Sequence, residues 1–140
     1  MERLYLDLDR IPDYAYSSFR TFYPGEKHVT RVCREDVLVL ILSGTLRFSE
    51  NGRPVEVGAN QYYIQKSGIC QQGVLASDAP HYFYIHFLGH FSQTGGLPTA
   101  GTCFQAAIRD DTLPLFDGAQ DAAGNAAALV NQSVCRADCP

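Results

Sequence analysis

Apolar and polar positions alternate in short runs from residue 15 to about residue 108, with turn residues between the runs. That pattern predicts antiparallel strands. AYSSFRTFYP leads into the turn signal PGEK and then HVTRVC. DVLVLILSG, residues 36–44, is an unbroken run of β-branched residues and leucine. It is too short and too β-branched for an isolated helix, so it predicts a strand buried on both faces that ends at Ser43-Gly44. TLRFS and RPVEV flank Asn51-Gly52, a strong hairpin signal. QYYIQ follows Gly58, Ser67-Gly68 makes the next corner, and ICQQGVL runs to the turn SDAP. HYFYIHFLGHF, residues 81–91, comes next, and TCFQAAI, residues 102–108, is the last predicted strand. From about Gly118 to Cys135 the chain is alanine-rich without alternation, which predicts a helix with Ala127, Val130 and Val134 on its apolar face. Many short strands followed by one helix predict a β-barrel or double-sheet sandwich.

Composition narrows the function classes. With 140 residues, 46% hydrophobic and 19% charged, the chain fits one ordinary globular domain. A net charge of −4 leaves no general basic field for nucleic-acid phosphates. There is no apolar run of membrane-spanning length, and MERLYLDLDR lacks the layout of a signal peptide. The five cysteines (Cys33, Cys70, Cys103, Cys135 and Cys139) are odd in number and irregularly spaced. That argues against a disulfide framework and for a cytoplasmic location.

The richest candidate chemistry lies in HYFYIHFLGHF, with five aromatic residues and three of the four histidines in eleven positions. Strand alternation puts Tyr82, Tyr84 and His86 on one face, and His81, Phe83, Ile85 and Phe87 on the other. One face is therefore dry, and the other carries polar-tipped rings able to stack on a small ligand and hydrogen-bond to it. The same three side chains could equally fill the interior and satisfy one another. Gln65, Gln71 and Gln72 on neighbouring strands offer adaptable amides, and Arg31 offers a fixed positive fork. A metal site is disfavoured because no His-x-His pair occurs anywhere. No serine or cysteine carries the local setting of an activated nucleophile.

The stretch HVTRVCREDVLVLILSGTLRFSENGRPVEVGANQYYIQKSGICQQG, continued by PHYFYIHFLGHF, resembles the N-terminal sensor domain of AraC-type transcriptional regulators. The resemblance lies in Arg31 ahead of a buried strand with Ser43-Gly44, the glycine-containing hairpin, the strand leading to a second Ser-Gly, and His86-Phe87 followed by Gly89. It covers about residues 28–91. It implies a mainly β chain built as a cupin-like double-stranded β-barrel of jelly-roll type, followed by a C-terminal α-helix. Residues 1–112 would form the ligand-binding barrel with its N-terminal segment, and residues 113–140 a linker and partial dimerisation helix. The resemblance further implies a small-molecule effector, sugar-like or acidic, a homodimer, and DNA contact only through a further helix-turn-helix domain that these residues do not include. It places the ligand contacts on Arg31, Gln72, Tyr82, Tyr84 and His86, with no catalytic residue, metal or cofactor. The alternative is a free-standing metal-dependent cupin enzyme, an isomerase or dioxygenase. Where such enzymes carry a proline-glycine corner and a histidine ligand, this chain has Lys66-Ser67 and Gln71-Gln72.

Overall fold

The computed structural model describes residues 4–102. They are mainly β, with eleven antiparallel-paired strands and no helix among the described residues. In chain order these are β1 (Tyr5–Leu6), β2 (Asp13–Thr21), β3 (Arg31–Val32), β4 (Asp36–Glu50), β5 (Arg53–Gly58) and β6 (Gln61–Gln65). They continue as β7 (Cys70–Gln72), β8 (Asp78–Leu88), β9 (Phe91–Ser92), β10 (Leu97–Pro98) and β11 (Ala100–Thr102). Strands β1, β9 and β10 form a small three-stranded sheet, and the other eight form the main one. Among the described residues no helix is long and apolar enough to cross a membrane.

The main sheet is organised around β4. The predicted pieces DVLVLILSG and TLRFS are one fifteen-residue strand, so Ser43-Gly44 does not end a strand. Instead the register of β4 against β8 slips there, between Ile41 and Ser43 and again between Ser43 and Thr45. An irregularity of this kind bends a strand and shifts which side chains face inward. Before the bend β4 buries Val37, Val39 and Ile41; after it, Leu46 and Phe48. All five lie in one apolar cluster with Phe22, Val57 and Tyr82. The first half of β4 pairs with β6 and β8, and the second half with β5 and β7. One strand thus contributes to two walls that face each other.

The bend depends on Gly44, whose φ is +70°. A Cβ at this position would lie 2.4 Å from the Asp78 carbonyl oxygen and 2.6 Å from that of Ala79. Ala79 itself sits at φ +37°, so two unusual backbone conformations oppose each other across the pair. The hairpin at Asn51-Gly52 forms as its residues predict, with φ of +46° and +77° and Glu50 opposite Arg53.

The other face of β4 is only partly dry. Leu38 packs with Ile64, Ile85 and Phe87 against Leu6, Phe91 and Leu97 of the small sheet, while Leu40 and Leu42 are half-buried. Burial on both faces therefore holds at the start of the strand alone. Asp36 is buried there and accepts hydrogen bonds from the backbone of Ser67 (2.8 Å) and Gly89 (2.9 Å), tying two chain corners to the head of β4. Cys33 is buried and outside any disulfide, whereas Cys70 is disulfide-bonded. The expectation drawn from cysteine number and spacing, against disulfide bonding, therefore does not hold for Cys70. HVTRVC and ICQQGVL contract to the short strands β3 and β7, and TCFQAAI meets the described residues only at Thr102. The predicted helix lies outside the described residues.

Gly44→Ala and Gly52→Ala separate sterics from backbone conformation. Both residues have positive φ, but the Cβ site of Gly52 is open. Urea denaturation should show a loss of about 1–2 kcal/mol for Gly52→Ala, and clearly more, about 3 kcal/mol or above, for Gly44→Ala.

Candidate ligand site in the sheet interior

Residues directly opposite one another on paired strands share a face. The register therefore defines rows across the inner surface. One row runs Gln65, Val37, His86, Tyr16 across β6, β4, β8 and β2. The next runs Tyr63, Val39, Tyr84, Ser18, and a third Ile41, Tyr82, Arg20. On the facing wall, Arg31, Gln71 and Glu50 form a row across β3, β7 and the end of β4. The alternation expected for residues 81–87 is thus present: Tyr82 and Tyr84 pack with the main cluster, Ile85 and Phe87 with the second.

A polar network joins the two walls. Arg31 is buried and donates through Nε to Gln71 Oε1 (3.4 Å) and through a terminal nitrogen to Gln65 Oε1 (3.3 Å). The fully buried Gln65 amide lies 3.2 Å from His28 Nε2, and His28 Nδ1 donates to the Val29 carbonyl (2.7 Å). That set fixes a neutral His28 with its proton on Nδ1, so Nε2 accepts from Gln65. A second link is Tyr63 Oη donating to Glu50 Oε2 at 2.7 Å. Burial raises the Glu50 carboxyl above its ordinary value, opposed by the bonds from Tyr63 and Gln71.

His86 is the least satisfied member of this interior. It is 1% exposed, and neither ring nitrogen has a hydrogen-bond partner. Tyr16 stacks on it (centroids 4.2 Å, planes 16° apart) and Tyr84 meets it edge-on at 5.6 Å. Tyr82 continues the ring series, 6.2 Å from Tyr84 and 5.9 Å from Phe22. Burial and then the Arg31 charge lower His86 to about 3, and the same two causes in the same order lower His28 to about 3. Both imidazoles are neutral at physiological pH. Burial pushes the Tyr82 phenol up to about 12, and Tyr84 upward as well. The two tyrosines therefore stay protonated donors.

Four of the five residues read from the sequence, Arg31, Tyr82, Tyr84 and His86, come together here. Gln72 does not. It pairs with Ser49 on the opposite face of the wall and lines an external groove of about 470 Å³ with Arg47, Pro54, Val74 and Leu75. Gln71 takes the inward place, because it is Gln71 that stands opposite Arg31. A three-residue strand gives no periodicity from which to tell these two apart. Gln65 was legible as a neighbouring amide, whereas Tyr16, Glu35 and Glu50 carry no local signal. Glu35 lies in the charged run before β4, yet its Oε2 is buried without a hydrogen bond, 3.7 Å from His86 Nδ1.

Among the described residues no group of three or more His, Cys, Asp or Glu side chains could hold a metal ion. What the arrangement offers is one fixed cation, two neutral imidazoles, several amides and phenols, and aromatic surface. Such a set offers hydrogen-bonding groups and stacking surface suited to a small polar molecule. No protein-family model matches the chain, and no curated protein matches it.

The neutral histidines set an acid limit on stability. Each has its folded-state value depressed from 6.5 to about 3, so the unfolded chain takes up protons first as the pH falls. Stability is whole above about pH 6.5 and declines from there toward pH 3, by about 2 kcal/mol per histidine at pH 5. Glu50, shifted upward, works in the opposite sense and gains stability as it protonates. Urea denaturation at pH 7 and pH 5 should therefore show a smaller acid loss for His86→Gln than for the wild type.

Proposed function

We propose that this chain is the effector-binding and dimerisation domain of an AraC-type transcriptional regulator, a cupin-like double-stranded β-barrel of jelly-roll type without catalytic activity. The observation that carries the reading is His86: a buried imidazole with both nitrogens unpartnered, walled by Tyr16 and Tyr84. Buried polar groups in folded proteins are nearly always bonded, so an imidazole left open beside the Arg31–Gln65–His28 network marks a place for a ligand. The two-walled interior around the bent β4 supports a barrel, and the order of Arg31, the hairpin and the His86 strand supports the family.

In this reading a small polar molecule, sugar-like or acidic, enters among Arg31, Gln71, Tyr82, Tyr84 and His86. It changes how the walls pack, which biases a homodimer formed through the C-terminal helix and, through it, DNA-binding domains outside this sequence. The protein acts in the cytoplasm.

A thermal-shift screen of sugars and organic acids tests the reading. One class should raise the melting temperature, and Tyr84→Ala and His86→Ala should each abolish that rise while the folded baseline persists. A ligand-induced rise that survives both substitutions places the site elsewhere. Stoichiometric bound metal in the purified protein would favour a cupin enzyme instead.

A further inference from the structure

We propose that Glu35, facing His86, is the specificity-determining residue of this interior site, and that the pair selects a neutral hydroxyl group and rejects carboxylates. The proposal rests on the ligand-site reading above and decides between the two ligand classes that reading leaves open.

The geometry is that of an incomplete contact. Glu35 Oε2 and His86 Nδ1 are 3.7 Å apart, too far for a direct hydrogen bond. Both atoms are buried, and neither has another partner. A single oxygen about 2.8 Å from each closes the triangle at ordinary hydrogen-bond lengths. With the imidazole proton on Nδ1, that oxygen donates to the carboxylate and accepts from the ring N–H. A hydroxyl does both with one atom.

The competing groups fail on charge. A carboxylate has no proton for Glu35 and would set a second negative charge within a few ångströms of it, in a poorly solvated place. An ammonium would suit Glu35 but enters the positive field of Arg31, the field that helps keep His86 neutral. Tyr16 covers one face of the imidazole and Tyr84 packs against it nearly at right angles, while Nδ1 lies on the side of Glu35. Glu35 retains 17% side-chain exposure, yet its Oε2 is buried on the side of His86.

The test pairs neutral polyols with the acids derived from them. Glycerol, xylose and glucose are titrated against glycerate, xylonate and gluconate by calorimetry, using the 140-residue chain and its Glu35→Gln variant. Histidine ¹⁵N spectra are recorded for both proteins without ligand. The neutral member of a pair should bind the wild type and its acid should not. Glu35→Gln should weaken the neutral ligand about 10-fold or more, as loss of a charge-assisted hydrogen bond requires, and should bring the acid into the binding range. An acid that binds the wild type better than its neutral partner overturns the proposal while leaving the sensor reading intact. So does a Glu35→Gln variant with unchanged affinity for the neutral ligand. If no probe binds either protein, the spectra decide. A neutral His86 protonated on Nδ1, perturbed by Glu35→Gln, upholds the pair and counts against the sensor reading; a His86 signal indifferent to Glu35→Gln overturns the pair.

Discussion

The interior of this protein depends on a backbone constraint, the close approach of Gly44 to the Asp78 and Ala79 carbonyls. Because no side chain stands there, β4 can bend while remaining hydrogen-bonded on both sides of the bend. The inward positions change parity across it, from Val37, Val39 and Ile41 to Leu46 and Phe48. A regular strand of the same composition would carry the odd-numbered set onward and turn Leu46 and Phe48 outward. The apolar cluster joining the two walls follows from one irregular corner.

That corner also decides where polar groups meet. With the parity shifted, Glu50 faces inward beside Gln71 and Arg31, opposite Gln65 and Tyr63 from the first wall. Each of these groups would be costly to bury alone, by about 1–3 kcal/mol for a lost hydrogen bond. Together they satisfy much of one another's bonding and pin the walls at a fixed separation. His28 joins from the segment before β3, held against the backbone of Gly73, where a Cβ would lie 1.8 Å from the His28 carbonyl oxygen.

Legibility in the sequence followed the length of each element. The long strand around residues 81–87 showed its two faces by alternation, and the hairpin at Asn51-Gly52 announced itself through residues that tolerate positive φ. The buried run of β4 was visible, but its continuation through Gly44 was not, since a serine-glycine pair reads as a turn unless the opposing carbonyls are known. Strands of two or three residues, such as β1, β3, β7, β9 and β10, have no period to detect. In β7 nothing in the local pattern therefore corrects the resemblance, which points to Gln72 where the register puts Gln71 inward. Glu35 was hidden for a different reason. Its partner lies some fifty residues away, and only the register that sets Val37 beside His86 brings them together.

The charge arrangement gives the interior its chemical character. Arg31 is felt by His28 and His86 alike, and it disfavours a second positive charge at both. The site therefore combines a permanent cation at one end with an unprotonated imidazole at the other, rather than two interchangeable bases. A molecule seated against His86 and Glu35 would touch β8 directly and the segment leading into β4. The next residue, Asp36, is bonded to the backbone at Ser67 and at Gly89. Displacing Glu35 by a few tenths of an ångström would load both of those bonds, at the corner before β7 and at the end of β8. Packed interiors transmit such shifts because they have no slack to absorb them. Asp36 thus ties the corner before β7 and the end of β8 to the head of β4, one residue from Glu35.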